Sequence, residues 1–402
     1  MRFVMFYHSL VSDWNHGNAH FLRGICTELL DVGHTVEVYE PFNGWSCRNL
    51  VQEQGIAAAS AFYSRYPRLI SRPYDQRSLN LDAALDGADV VIVHEWNDPE
   101  WVARIGRHHR RSNYLLLFHD THHRAVSAPH ELAAYDLSDF DGVLAFGEVL
   151  RDVYESRGWA ARAWTWHEAA DTRIFEPLRS HEPEWDLVWV GNWGDGERAA
   201  ELQEFLIEPV GALGLQARVH GVRYPDQALM ALRHAGIDYR GWLANFDVPR
   251  VFGRSRTTVH VPRRFYREQL PGIPTIRMFE ALACGIPLVS APWTDSEGLF
   301  KEGRDYLLAR NGREMRDHLE LLCADTEFAL QLASHALATI RERHTCAHRV
   351  RELLSILSEA GLPCNDNSTS PSSDRASCQP TGTGPPRTTA GSSVPWPGEV
   401  TG

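Results

Sequence analysis

The sequence lacks features that would place it in several well-known classes of protein. Its seven Cys include no C-x-x-C pair, so neither a zinc ribbon nor a disulfide framework is indicated, and we expect reduced thiols. No run of 18 or more apolar residues occurs, and the first residues, MRFVMFYHSLVSDW, have neither the apolar core nor the cleavage pattern of a signal peptide. These absences predict a cytosolic protein without a transmembrane segment.

Basic residues are also outnumbered, with 40 Lys and Arg against 52 Asp and Glu, for a formal net charge of −12. A polyanionic partner requires a basic surface, so we expect no nucleic-acid partner and no anionic membrane, although a local basic pocket is compatible with this charge. The motif HDTHH, with His119, His122 and His123, could ligate a metal, but no second cluster with ligand spacing accompanies it. We therefore predict no metal site.

The chain has 402 residues, of which 43% are hydrophobic, and this is enough for two cores. Short apolar runs alternate with longer amphipathic stretches, which is typical of β-α-β units and a parallel sheet. This rhythm predicts an α/β protein with two Rossmann-like domains whose sheets face a cleft. The candidate strands are RFVMFYH, TVEVYEP, DVVIVHE, NYLLLFHD, GVLAFGE and RAWTWHE in the first half, and WDLVWVGN, ARVHGV, GIDYRGW, TTVHVPR, IPLVSAP and DYLLAR in the second.

Two changes in composition suggest domain boundaries. The segment DTRIFEPLRSHEPE, residues 171–184, contains two Pro and dense charge, so we interpret it as a linker between domains at 1–172 and 173–345. Amphipathic helices follow residue 312, with a last helix over 346–362. Residues 363–402 are rich in Ser, Thr, Pro and Gly and too poor in apolar residues to fold, so we predict a disordered tail.

The loop after the first strand contains Asn15, His16, Gly17 and Asn18 and leads into a helix predicted over 19–32. The amino end of that helix offers N–H groups to an anion or a sugar hydroxyl. The loop is not a dinucleotide fingerprint, because G-x-G-x-x-G is absent. An ordinary turn with Asn and His as caps explains the same residues, so both a substrate-binding and a structural role stay open.

Two histidines end neighbouring candidate strands, His94 in VVIVHEWND and His119 in LLLFHDTHH, and a carboxylate follows each. Single strand-end histidines are often structural. Two of them facing one cleft favour acid–base or hydroxyl-binding work. We predict a catalytic role for His119 and a substrate-binding role for His94.

The first strand of the second half is followed by VGNWGDGER. Gly191 and Asn192 lie in a tight loop whose backbone can approach a phosphate, and Arg198 follows as a possible counter-charge. Small residues in such loops often serve only the turn. We predict donor-binding roles for these three residues.

The segment PGIPTIRMFEALACGIPLVS predicts a helix over 276–284. Amides near Thr275 and Ile276 would point out of its amino end, where the helix dipole favours a diphosphate. Arg277 would add a bidentate donor. Glu280 lies on the same face as Ile276, and its carboxylate could accept both hydroxyls of a ribose.

Two further arginines, Arg263 and Arg264, follow the strand TTVHVP and would extend the same cationic rim. A solvated helical ion pair between Arg277 and Glu280 is the structural alternative. Most other residues of the segment are apolar and look buried, so we favour a ligand-binding role for all four charged residues.

These motifs resemble a known enzyme family. The patterns DTRIFEP, VGN and FEALACGIPLVSAP are similar to nucleotide-sugar-dependent glycosyltransferases of the GT-B type. More closely, GIPTIRMFEALACGIPLVSAPW with RRFYRE before it resembles the CgeB-like, spore-maturation-type branch, over about residues 1–357. The resemblance implies a donor site in the second domain, an acceptor site in the first, and last helices that cross back to the first domain.

The resemblance also implies roles for particular residues. His119 would contact the transferred sugar. In the donor pocket, Glu280 would bind the ribose, Thr275, Ile276 and Arg277 the diphosphate, and Gly191 and Arg198 would line the same pocket. The donor would be a nucleoside diphosphate sugar, with no other cofactor, and the anomeric configuration would be retained.

One position departs from the family pattern. Retaining members often carry Glu-x7-Glu, but the residue eight before Glu280 is Gly272. A degenerate fold that only binds a nucleotide or a partner therefore stays open, as does a sugar-nucleotide epimerase. Our main prediction is a hexosyltransferase-like, metal-independent enzyme that transfers a sugar to an unidentified acceptor, which could be a glycan, a small molecule or a protein.

Overall fold

The structure is a computed structural model that describes residues 1–362 except 43, 179 and 181, so the predicted tail lies outside the described residues. All strand pairs in it are parallel. The strands are β1 Arg2–Phe6, β2 Thr35–Pro41, β3 Ser71–Tyr74, β4 Val90–His94, β5 Leu115–Asp120, β6 Gly142–Ala145, β7 Ala163–Thr165, β8 Trp185–Val190, β9 Ala217–His220, β10 Asp238–Tyr239, β11 Ser255–His260, β12 Leu288–Ser290 and β13 Leu307–Leu308.

Helices occupy most of the connections between these strands. In the first half they are α1 Ala19–Asp31, α2 Trp45–Gln54, α3 Ile56–Arg65, α4 Leu81–Ala84, α5 Pro99–His109, α6 Arg124–Ser127, α7 Pro129–Leu132 and α8 Glu148–Arg157. In the second half they are α9 Ala199–Leu202, α10 Glu208–Leu213, α11 Asp226–His234, α12 Val248–Gly253, α13 Arg264–Glu268, α14 Ile276–Ala283, α15 Gly312–Ala324, α16 Thr326–Arg343 and α17 Cys346–Glu359. A π-helical turn, Gln203–Ile207, joins α9 to α10, and a short 3-10 turn, Asn245–Asp247, precedes α12.

The strands form two separate sheets. The first has the order β3-β2-β1-β4-β5-β6-β7 and the second the order β10-β9-β8-β11-β12-β13. In each sheet the chain starts near the centre, runs to one edge and then crosses back, which is the doubly wound arrangement of Rossmann-like folds. The predicted fold class of two parallel α/β sheets is confirmed, and each of the twelve candidate strands overlaps an observed strand.

One observed strand was not predicted from the sequence. Strand β3, with the sequence SRPY, pairs with β2 at the edge of the first sheet. It is short, contains Pro and is largely exposed, so it has none of the apolar character on which strand prediction rests. The central strands β4 and β5 are buried along their whole length, as expected for strands covered on both faces.

The predicted linker is partly a packing element. Asp171 is 1% exposed, and Phe175 is fully buried and lies with its ring centroid 4.4 Å from that of His20 in α1. Arg173 forms ion pairs with Glu28, at 2.6 Å, and with Asp31 and Asp171. Part of the charge on which the linker prediction rested therefore fixes this segment against the first half of the chain.

The last helix, α17, packs against α1 of the first half. The indole Nε1 of Trp166, after β7, donates to the carbonyl of Arg349 at 2.8 Å. Leu353 on the same helix is fully buried. Within the described part of the chain no helix is long and apolar enough to span a membrane.

Truncating this helix contact should destabilise the protein. Leu353→Ala removes a fully buried side chain, so we expect the free energy of unfolding to fall by about 2–5 kcal/mol. Leu330→Ala on α16 is the control, because Leu330 is 45% exposed and its loss should change stability by no more than about 0.5 kcal/mol. Urea denaturation measures both, and equal effects would show that α17 is not held by its apolar face.

Candidate functional site

Loops that follow the carboxyl ends of strands in the two sheets contact each other. The amide of Asn192, after β8, donates to the side chain of Asn15, after β1, at 2.8 Å. The carboxylate of Asp13, also after β1, accepts from the indole of Trp242 and from the backbone N–H of Asn245, both at 3.0 Å. Parallel strands place functional side chains at this edge. The candidate site is therefore formed by residues of both sheets.

The loop predicted to bind substrate lies against the start of α14. Asn15 has a φ of 54°, the left-handed conformation that Asn tolerates. A Cβ on Gly17 would come within 2.9 Å of the Ile276 side chain, so Gly allows the close approach. The sequence analysis had placed Gly17 and Ile276 in separate sites, but the structure brings them into contact.

A small cavity of about 10 Å³ lies beside this loop, and it is large enough for about one water molecule. It gathers four of the residues predicted to serve the acceptor side, namely His16, Asn18, His94 and His119. His94 and His119 are register neighbours on β4 and β5, with ring centroids 5.5 Å apart. Their convergence follows directly from the strand register.

His119 is 2% exposed and presents one free nitrogen. Its Nδ1 lies 2.7 Å from the hydroxyl of Tyr7, whose pKa is raised well above its usual range by burial. In the tautomer in which the protonated phenol donates to Nδ1, the proton of the neutral ring lies on Nε2. Burial lowers the pKa of His119 to about 3, so the ring is neutral at pH 7 and can offer its Nε2–H to a ligand hydroxyl.

Arg198 is a buried cation without a carboxylate partner. Its guanidinium donates to the carbonyls of Val261, at 3.0 Å, and Asn192, and its buried Nε has no partner. Burial and the nearby charges of Arg263 and Arg277 lower its pKa to about 9. Among the described residues no carboxylate lies within ion-pair distance of it. An unpaired buried charge is costly, so this position favours binding of an anion.

Arg263 and Arg264 form ion pairs with different carboxylates. Arg263 lies 2.6 Å from Glu197, which is also 3.3 Å from His123 of the first half. Burial by itself would raise the pKa of the Glu197 carboxyl, but the hydrogen bonds and charges of His123 and Arg263 lower this pKa to about 2. Arg264 instead pairs with Glu201 at 3.2 Å and is half-exposed. Adjacent residues at the start of a helix project in different directions, so the two arginines have different partners, and the donor-binding role of Arg264 stays a prediction.

Helix α14 begins close to these cations. Thr275 precedes it, and no side chain caps its first N–H groups. The Thr275 hydroxyl instead lies 3.1 Å from Nε2 of His260. Burial, together with the positive charge of Arg198, lowers the pKa of His260 to about 3. Free amides at a helix amino end beside a cation are a site for an anion such as a phosphate.

Glu280 does not reach solvent. It is fully buried, pairs with Arg277 in the same helix, and its carboxylate lies 2.6 Å from Nδ1 of His20, which is also fully buried. The alternative of a solvated helical pair is wrong, because the pair is covered by α1. A ribose could reach Glu280 only if His20 moved away, a condition that the sequence could not reveal.

The space beside Gly272 is filled by another carboxylate. Gly272 has a φ of 94°, and a Cβ there would lie 2.8 Å from the carboxylate of Glu297 and 2.6 Å from the hydroxyl of Ser296. Glu297 accepts hydrogen bonds from His167, at 2.6 Å, and from the backbone N–H of Glu148, at 2.9 Å. Gly at this position is thus required by the contact between the two halves of the chain.

Gly191 and Asn192 mainly shape the loop around Arg198. The carbonyl of Gly191 accepts from the Tyr224 hydroxyl at 2.8 Å and from the Trp189 indole at 3.1 Å. The side chain of Asn192 also accepts from the backbone N–H of Val222 at 2.9 Å. Both residues position the loop, and the predicted approach of a phosphate stays a prediction.

The sequence analysis missed several residues that the structure places at this site. They are Tyr7, His8, His20, Trp96 and Glu197. His122 and His123 also lie here, although the sequence suggested them only as metal ligands. Their positions just after strands were a signal that could have found most of them. No such signal marks His20, because it lies inside a helix. The part of the chain that the structure describes contains no cluster of three His, Cys, Asp or Glu side chains arranged to hold a metal.

Comparison with known proteins agrees with this arrangement. Residues 197–355, less than half of the chain, match a family model described as glycosyl transferase-like. The search of curated proteins gave no match. Among solved structures, HepE from Anabaena in complex with UDP-glucose covers 89% of this chain and 100% of its own at 14% identity, with a TM-score of 0.63.

Two other solved structures are similar over the same extent. Sucrose-phosphate synthase from Thermosynechococcus elongatus is 12% identical, covers 89% of this chain and 98% of its own, and has a TM-score of 0.61. An alpha-glucosyltransferase in complex with UDP is 11% identical, covers 89% of this chain and 100% of its own, and has a TM-score of 0.65. The fold is GT-B. At these identities the likeness defines the architecture only.

Acid should destabilise the folded protein through its buried histidines. In the folded chain burial lowers the pKa of His119 to about 3 and that of His16 to about 4, whereas an unfolded histidine titrates near 6.5. Between these values the unfolded chain binds more protons, so stability is lost as the pH falls from about 6.5 to 4, by up to about 1.4 kcal/mol per pH unit for each histidine.

This dependence can be assigned with a variant. His119→Asn should make the pH dependence of the free energy of unfolding shallower in urea titrations at pH values of about 7, 6 and 5. His318→Asn on α15 is the control, because His318 is only half-buried. If the His119 variant kept the wild-type slope, the folded protein would not hold this ring neutral.

Proposed function

We propose that this protein transfers a sugar from a nucleoside diphosphate sugar to an acceptor, without a metal ion. The observation that carries the proposal is the buried, unpaired guanidinium of Arg198 beside the uncapped start of α14. Burying a cation without a carboxylate partner costs free energy, and a bound anion would offset that cost. A diphosphate fits the combination of helix amides and arginines.

The arginines would act on the leaving group. As the bond between the sugar and the diphosphate breaks, negative charge grows on the diphosphate oxygens. Arg198 and the amides after Thr275 would stabilise that charge, and Arg263 would do so if its pairing with Glu197 were exchanged for the ligand. This supply of positive charge is why no metal is invoked. Arg277 would join them if its pairing with Glu280 were exchanged for the ligand.

The two halves of the chain would cooperate in the transfer. His119, with its proton on Nε2, would donate a hydrogen bond to a hydroxyl of the transferred sugar and fix its orientation. The contacts of Asn15 with Asn192 and of Glu297 with His167 hold the halves together, which would keep water away from the donor. Retention of configuration is part of the proposal only through the family resemblance.

Uracil is the first base to test, since HepE and the alpha-glucosyltransferase have been solved with UDP-glucose or UDP. Glu280 would accept hydrogen bonds from the ribose hydroxyls only if the His20 side chain moves away when the nucleotide binds. One alternative stays to be tested, a degenerate GT-B protein that binds a nucleotide or a partner without turnover, because Glu280 is fully buried and Gly occupies position 272.

Calorimetry with UDP, GDP, ADP, CDP and dTDP in the presence of a chelator tests the donor site. We expect selective binding of one nucleotide, which Arg263→Gln should weaken roughly tenfold to hundredfold because a charge-assisted hydrogen bond is lost. Arg264→Gln is the matched control, since the neighbouring Arg264 pairs with Glu201 outside this rim. Equal weakening by both substitutions would point to general electrostatics, and absence of nucleotide binding would refute the proposal.

His119 can be tested by turnover. With water or a supplied neutral sugar as the acceptor of the glucosyl group, His119→Ala should lower the rate of UDP release from UDP-glucose roughly tenfold. UDP affinity should stay within about twofold of wild type, because His119 would contact the sugar and not the nucleotide. His318→Ala serves as the control. Full activity of the His119 variant would remove this residue from the site, and nucleotide binding without turnover in the wild type would favour the degenerate alternative.

A further inference from the structure

An exposed aromatic ring lies at the edge of the candidate site. Trp96 follows β4 two residues after His94 and is 42% exposed. Single exposed apolar side chains are common on protein surfaces and carry no meaning alone. The surroundings of Trp96 are what distinguish it.

One side of the Trp96 ring is held in place. The guanidinium carbon of Arg124 lies 4.3 Å from the ring centroid, a cation–π contact. Arg124 is itself fixed, because it forms an ion pair with the fully buried Glu95 and contacts the hydroxyl of Tyr135. An aromatic ring fixed in this way loses little conformational entropy when a ligand stacks on its free face.

Trp96 is connected to His119 by a series of neighbouring rings. The centroid of Trp96 lies 6.0 Å from that of His8, His8 lies 5.6 Å from His94, and His94 lies 5.5 Å from His119. On its other side Trp96 lies 5.1 Å from His122. A ligand that covers Trp96 is therefore within a few ring diameters of the residue proposed to contact the transferred sugar.

The histidines of this series carry no charge at neutral pH. Burial, followed by the charges of neighbouring groups, holds the pKa values of His8, His94 and His122 well below their usual range. A neutral ring has one N–H donor and one acceptor, which is what the hydroxyl groups of a sugar require. His94 already uses both nitrogens, with the Thr121 hydroxyl at 3.0 Å and the backbone N–H of Trp96 at 3.4 Å, whereas Nδ1 of His8 and Nδ1 of His122 have no partner. The cations next to them are already paired, Arg124 with Glu95 and Arg263 with Glu197.

We propose that the acceptor is a neutral carbohydrate whose sugar ring stacks on the free face of Trp96, with its hydroxyl groups turned towards the neutral histidines. The inference rests on the proposed transferase function, of which it specifies the acceptor class. The apolar C–H face of a pyranose buries its surface against the indole. Among the described residues, the arginines on this side of the site, Arg124 and Arg263, are paired with carboxylates, so an acidic or phosphorylated acceptor gains no ion pair with a free cation there.

Saturation-transfer NMR on the full chain with UDP present tests the inference, using methyl glucoside, maltose and cellobiose as neutral probes and glucuronate and glucose 1-phosphate as anionic ones. We expect a neutral probe to bind, Trp96→Ala to weaken it by roughly tenfold, and Trp96→Phe to retain most of the affinity. The matched control is Trp185→Ala. Trp185 also stacks on an arginine, Arg218 at 4.0 Å, but begins β8 at the opposite end of the sheet from the site.

The outcomes separate this inference from the proposed function. If UDP binds but only the anionic probes bind with it, or if Trp96→Ala leaves the affinity for neutral probes unchanged, the acceptor assignment is overturned and the transferase proposal stands. If neutral probes bind through Trp96 while calorimetry detects no nucleotide, the carbohydrate site stands and the transferase proposal falls. Absence of binding by every neutral probe overturns the acceptor assignment.

Discussion

The parallel direction of every strand is the constraint on which the rest of this structure depends. In a parallel sheet all carboxyl ends lie at one edge, so each loop that follows a strand begins there. In both halves of the chain these loops supply the residues that meet, as in the contacts of Asp13 with Trp242 and of Glu297 with His167. The candidate site is the consequence, because polar side chains that follow strands have no other edge to occupy.

Charge is divided within this site. The first half contributes buried imidazoles that are neutral at pH 7, among them His94 and His119, whereas the second half contributes Arg198 and Arg263. Desolvation disfavours charge on a histidine but cannot remove it from an arginine, whose ordinary pKa is far higher. One side is therefore suited to uncharged hydroxyl groups and the other to an anion. A nucleotide sugar with a carbohydrate acceptor has the same division of charge.

Packing around residue 272 accounts for the Gly at this position. In the family that the sequence resembles, Glu is common at this position, but here Glu297 occupies the adjacent space and is bound by His167 and by the backbone of Glu148. A second carboxylate at this point would place two negative charges in contact without a cation between them. The change to Gly is thus consistent with the contact that joins the two halves, whatever it implies for the reaction.

The sequence by itself determined the local structure and much of the architecture, because apolar runs, Gly and Pro act within a few residues. It placed twelve strands, the helix over 276–284 to within one residue, and His94 beside His119. Only the tertiary structure decided which partners the charged and aromatic side chains found. His20 covers Glu280, Arg264 turns to Glu201, and Arg124 supports Trp96. These contacts join residues from different elements, so they depend on packing geometry that no local pattern encodes.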